Sequence, residues 1–99
     1  MDTNDYISIQ QFSVHYNVPA VFLNTLYDYE LIEVITVNST SYIRKTQIKH
    51  IERMIRLHFD LELNMEGIDV VDKLLKRVKI LQEEIKMLHN RLQFFEDNN

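Results

Sequence analysis

The spacing of apolar positions changes along the chain, and each change marks an element. Ile9, Phe12 and Tyr16 recur at three and four, which predicts an amphipathic helix of about two turns. Ser8 offers an N-cap oxygen to it, and Asn17 breaks it. Tyr6 and Ile7 read as a short extended lead-in. Pro19 suits the first turn of a second helix, where its missing N–H costs little. Leu23, Leu26 and Tyr27 are expected to face inward there, with the helix ending near Tyr29 or Glu30. Residues 32–37 are rich in Ile and Val, as strands are. Asn38-Ser39-Thr40 is a turn signal, and Ser41–Ile43 can return as a second strand, making a small hairpin wing. Thr46 suits the N-cap of a third helix. Its apolar face is Ile48, Ile51, Ile55 and Phe59, widened by Met54, Leu57 and Leu61. Asn64 and Gly67 mark a bend. A long helix is then expected from about Ile68 to Phe95.

That last helix carries an unbroken heptad. Val71, Val78, Ile85 and Leu92 fill one apolar position, and Leu74, Leu81, Leu88 and Phe95 fill the other. Such a 4-3-4-3 run is a coiled-coil seam, and Ile or Val at one position with Leu at the other favours two strands if they run parallel. The flanks are mixed: Arg77, Glu84 and Arg91 on one side, Leu75, Gln82 and His89 on the other. They leave the orientation open. A helix of that length spans about 42 Å at 1.5 Å per residue. A head built from the preceding residues has a diameter of roughly 28 Å. The seam is therefore expected to be covered by a second copy or another protein. The alternative is a helix folded back on the third helix. The domain division expected is 1–66 for the head and 67–99 for the dimerisation helix.

Composition narrows the class. The chain has 99 residues, enough for one small domain, with one Gly and one Pro. It has no Cys, so disulfides, thiolate metal sites and a Cys nucleophile are excluded. No signal peptide is expected from the acidic start, and no apolar run approaches the roughly 18 residues of a membrane span. A cytoplasmic location is the simplest expectation. The distribution of charge says more than the net value of −4. Residues 1–43 hold five acids (Asp2, Asp5, Asp28, Glu30, Glu33) and no Lys or Arg. All 11 basic residues lie at or beyond Arg44.

Catalytic and metal signatures are absent. His15, His50, His58 and His89 include no pair at metal-binding spacing. His58 and Glu62 are expected to share a helical face, as a surface contact. Asp60 and Glu62 read as solvated. No phosphate-binding Gly-rich loop or nucleophile elbow occurs. No enzyme activity, cofactor or metal is expected.

The order of elements resembles the MerR-type winged helix. The segments carrying the likeness are Tyr6–Phe12 ("YISIQQF"), Asn17–Pro19 ("NVP") and Glu30–Ile32 ("ELI"). DNA-binding members carry Arg on the second helix, where this chain has Val21 and Asn24, and Glu30 stands where they have Gly. The stretch Ile51–Gln93 is similar to the CbpM-type chaperone modulators, most tellingly in "RLHFDLELNMEGI", Arg56–Ile68. Met65-Glu66 replaces a Trp-Pro pair found in many of those. The resemblance implies a mainly α fold, a MerR-like winged helix-turn-helix with a small β-hairpin wing and a long C-terminal coiled-coil helix. It also implies binding to the J-domain of a DnaJ-like co-chaperone, whose basic second helix docks on Hsp70, and inhibition of that work.

DNA affinity rests largely on Lys and Arg meeting phosphates. A head with none before Arg44 is a poor match for nucleic acid, whereas an acidic surface can steer a basic partner. The expected contact surface is Val21, Phe22, Asn24, Thr25 and Asp28, with Glu30 and Glu33 at its rim. Two other functions stand beside the modulator: a MerR-like DNA-binding regulator and a structural dimerisation adaptor.

Overall fold

The computed structural model describes residues 3–97. A 3-10 turn (Thr3–Asp5) leads into strand β1 (Tyr6–Ser8), helix α1 (Ile9–Tyr16) and helix α2 (Ala20–Asp28). Strands β2 (Ile35–Val37) and β3 (Thr40–Arg44) follow, then a 3-10 turn (Lys45–Gln47) and helix α3 (Ile48–Ile55). A π turn (Arg56–Asp60) precedes helix α4 (Met65–Asp97). The chain divides into two units, Met1–Asp69 and Val70–Asn99.

Local chemistry sets each boundary of the first unit. Ser8 Oγ accepts the Gln11 N–H at 3.1 Å, and Gln11 Oε1 accepts the Ser8 N–H at 3.4 Å, a reciprocal capping box. Asn17 ends α1 in the left-handed region (φ 53°), a conformation its short side chain tolerates. The Ser13 hydroxyl donates to the Val18 carbonyl and ties the turn. Pro19 is the N-cap of α2, one position ahead of its first turn.

The exit of α2 is costlier. The Leu31 N–H reaches back to the Leu26 carbonyl and the Glu30 N–H to that of Tyr27, both at 2.9 Å. That is the bond pattern of a Schellman motif, which normally places Gly in the left-handed position. Here Glu30 occupies it, at φ 59°. Glu30 also puts a negative charge where the helix dipole is already negative. Glu30→Gly is therefore expected to raise stability by about 1 kcal/mol, read as a higher urea midpoint with an unchanged m-value.

The lead-in is a true strand. β3 lies between β1 and β2 in an antiparallel sheet, with Ile7 opposite Ile43 and Ile35 opposite Tyr42. The wing turns on two residues, Asn38 and Ser39, at φ 51° and 65°. Two positive φ values in a two-residue loop are what a type I′ hairpin requires.

Several expectations for the third helix are corrected. Thr46 sits within the 3-10 turn, and α3 starts two residues later with no side-chain cap. Ile51 and Met54 are buried, with Ile48, Ile55 and Leu57 half-buried, but Phe59 and Leu61 are exposed. The π turn has more residues per turn than an α-helix. It rotates Phe59 off the apolar stripe, and Leu61 lies beyond its end. Glu62 leaves in the left-handed region (φ 58°), so it shares no helical face with His58. His58 Nδ1 instead donates to the Leu63 carbonyl at 2.8 Å.

Asn64 is a cap, and α4 begins at Met65, three residues earlier than the spacing implied. Its Oδ1 accepts the Gly67 N–H at 2.8 Å. A Cβ on Gly67 would lie 3.1 Å from that oxygen, so the cap fits best with Gly there.

The core of the head gathers Phe12, Leu23, Leu26, Ile43, Ile51, Met54 and Ile68, all fully buried. Two tyrosines brace it with bonds to carboxylates. Tyr16 Oη donates to Glu52 Oε1 at 2.9 Å, and Tyr29 Oη to Glu66 Oε1 at 3.0 Å. The Tyr16 pKa is raised above its ordinary 10.0, first by that hydrogen bond, then by burial and by the Glu52 charge. The Tyr29 pKa is raised by the bond to Glu66 and then by its charge. A pKa raised on folding gives stability that is complete below the unfolded value and lost as pH rises through the folded one. Tyr16→Phe is expected to cost about 1 kcal/mol at neutral pH. The gap between wild type and variant should close as pH climbs past the ordinary tyrosine value of 10.0, measured by urea unfolding at each pH.

Candidate docking face

The second helix sorts its residues by angle. At 3.6 residues per turn, Phe22, Leu23 and Leu26 fall on one side of α2 and are buried. Val21, Asn24, Thr25 and Asp28 fall within about 100° on the other. Phe22 is 5% exposed, and its ring stacks on His58 (5.0 Å between centroids) and leans on Phe59 (5.2 Å). Its expected place in the contact surface is corrected: it supports that surface from beneath. Its neighbour Val21 is 72% exposed. Tyr27 is corrected in the opposite sense. It is 51% exposed, because its angle lies beyond the edge of the buried arc. Thr25 is half-buried, and its hydroxyl donates to the Val21 carbonyl at 2.8 Å, leaving mainly its methyl for contact.

The acidic rim is held from behind. Gln47 grips the backbone of Glu33 with both ends of its amide: Oε1 accepts the N–H at 2.9 Å and Nε2 donates to the carbonyl at 3.0 Å. His50 Nε2 lies 3.2 Å from the Leu31 carbonyl. Leu31 and Ile32 point into the core while Glu30 and Glu33 stay exposed. The Asp28, Glu30 and Glu33 carboxylates have no ion pair among the described residues. Asp2, the first of the early acids, lies outside the described residues. Arg44, the first basic residue, ends β3 with its guanidinium 5.9 Å from the Tyr6 ring centroid.

The long helix is described by itself. Seam residues Leu74, Val78, Leu81, Ile85, Leu88, Leu92 and Phe95 are 46–65% exposed, and Val71 is half-buried. A further exposed column, Ile80, Met87 and Phe94, lies outside the expected seam, although its own spacing of seven could have revealed it. Gln47 was not expected at the site either. Its bond to Glu33 spans 14 residues, and no local pattern signals such a contact. No helix among the described residues is long and apolar enough to cross a membrane.

The sequence model of one protein family, described as "MerR HTH family regulatory protein", matches residues 7–90. No curated protein and no solved structure gives a significant match.

Proposed function

We propose, from the premise that the chain belongs to the MerR HTH regulatory-protein family, that it is a non-enzymatic modulator of a DnaJ-like co-chaperone. It binds the J-domain and inhibits its work with Hsp70, in the cytoplasm, without a cofactor. Two copies join through the seam of α4. The observation that carries this reading is the outer face of α2. The helix in the position of a recognition helix offers Val21, Asn24, Thr25 and Asp28 to solvent, and neither it nor any residue before Arg44 is Lys or Arg. Arg reading guanine is the commonest specific contact to DNA, and none is available there. An apolar residue ringed by polar groups, with a fixed acidic rim, suits a basic protein helix. The resemblance of Ile51–Gln93 to the CbpM-type modulators supports the same reading. The second reading, a DNA-binding regulator, draws on the family's own description.

Calorimetric titration with an isolated J-domain from the same organism, at low and moderate salt, tests the proposal. Binding that weakens with salt is the expected result. Glu30→Lys with Glu33→Lys should weaken it at least about threefold at low salt and flatten the salt dependence. Absence of binding to every J-domain of that genome would discard the modulator. Binding to duplex DNA instead would establish the regulator, and binding to neither would leave a dimerisation adaptor.

A further inference from the structure

We propose that the π turn after α3 forms the second half of the docking face, and that the whole face takes an amphipathic helix with basic flanks. The J-domain as the source of that helix rests on the function proposed above. An unbroken α-helix would place Phe59 on the buried stripe of Ile51 and Ile55. The π turn brings it out instead: Phe59 is 47% exposed, and Leu61 follows at 65%. A small head has few large side chains to bury, so leaving two of them in water forgoes part of its main source of stability. Such turns recur at functional sites, and this one sets an apolar pair beside α2. Phe59 leans on Phe22 at 5.2 Å between centroids. His58 stacks on the same ring at 5.0 Å and is held by the bond from its Nδ1 to the Leu63 carbonyl.

Phe22 is the edge of the buried arc of α2. Leu23 and Leu26 lie inward of it, while Thr25 and Val21 lie about 60° and 100° outward. Phe59 covers Phe22 at that edge, so the apolar surface runs from Val21 and the Thr25 methyl onto the π turn. Carboxylates border it on both sides. Asp28 lies about 120° from Phe22 around α2, beyond Val21. Asp60 follows Phe59, and Glu62 follows Leu61. All three acids are exposed, and none has an ion pair among the described residues. Residues 57–66 hold Asp60, Glu62 and Glu66 and no Lys or Arg, which extends the charge pattern of the first 43 residues to this second segment. Arg56, at the start of the turn, is the nearest basic residue before it. An apolar strip with acids along both borders is the complement of a helix with one apolar stripe and Lys or Arg on either flank. The opposite edge of α2 differs. Asn24 turns toward the wing there, and the groove between them is lined mainly by neutral polar groups, Ser8, Gln10, Asn24, Ser39, Thr40 and Ser41.

The chain has no Cys, so one introduced thiol carries a label cleanly. Leu61→Cys and, on the wing, Val37→Cys are each labelled with a polarity-sensitive fluorophore in the full chain. Each is titrated at low salt with a synthetic amphipathic helix of Leu and Lys, with its Leu and Glu counterpart, and with the isolated J-domain. The expected result is a saturable blue shift at position 61 with the Lys helix and with the J-domain. Position 37 should not respond, and the Glu helix should move neither label. Phe59→Ser should weaken binding of the Lys helix about tenfold while its salt dependence persists, because the acids remain. Phe59 touches the core, so Leu61→Ser supplies a second variant, with at least about threefold weaker binding at an unchanged urea midpoint. J-domain binding that leaves position 61 silent would overturn the inference and leave the modulator intact. A shift with the Lys helix but with no J-domain would keep the face and discard the modulator. An equal response to the Glu helix, or none to either ligand, would overturn the inference. So would a blue shift that appears on concentrating the protein alone, since a second copy would then cover the face.

Discussion

Phe22→Ala is expected to destabilise the head by about 3–5 kcal/mol, a large part of a small domain's total. The ring is buried against His58 and Phe59, and truncation leaves a hole that its neighbours fill only in part. Val21→Ala, one residue earlier, should change stability by no more than about 0.5 kcal/mol, since that side chain is mostly in water. The two variants therefore separate folding from recognition. Under the proposed function, Val21→Ala weakens J-domain binding about tenfold at unchanged stability. Urea unfolding and calorimetric titration of both proteins provide the check. A Phe22→Ala cost below about 1 kcal/mol would mean that the ring is not a core residue.

The second large effect concerns the long helix. Ile85→Lys with Leu88→Lys places two charges per chain in the middle of the seam. Each buried side chain of this size contributes about 1.5–3 kcal/mol, and a pair of helices would lose four of them. The dissociation constant of the proposed dimer should rise at least about a thousandfold, read by sedimentation equilibrium. Both side chains are exposed in the single chain, so no core contact within it is broken. The near-ultraviolet signal of the head tyrosines should persist. Helical content should fall, because a lone helix with an unburied apolar edge draws little support from propensity alone. An unchanged dissociation constant would mean that this edge is not where copies meet.

Much of the fold was legible from residues close in sequence. Ser8, Asn17 and the Asn38-Ser39 turn act within three or four positions of themselves, and each does what its chemistry implied. Asn64, expected as a break, works as a cap and lengthens α4 at its start. The corrections share an origin. Phe22 and Tyr27 exchanged roles because the edge of a buried arc depends on which neighbours cover it. Phe59 left its stripe because a π turn altered the period within a run that looked uniform.

The candidate site was legible in part. The absence of Lys and Arg before Arg44 marked the surface, and Val21, Asn24, Thr25 and Asp28 do share the outer face of α2. The fixed position of the acidic rim was not legible. It depends on Gln47 and His50, which reach it across 14 and 19 residues.

Residue order alone was enough for the sequence of elements, the heptad edge and the one-sided charge of the first 43 residues. These are properties of period and composition, and they need no partner. Other features emerge only in the folded chain: which aromatic ring is buried, the joining of the lead-in strand to β3, and the left-handed backbone of Glu30. The bonds from Tyr16 and Tyr29 to carboxylates 36 and 37 residues away belong with them. Each of these depends on how distant segments meet, and that free energy exists only once the chain has closed around a common core.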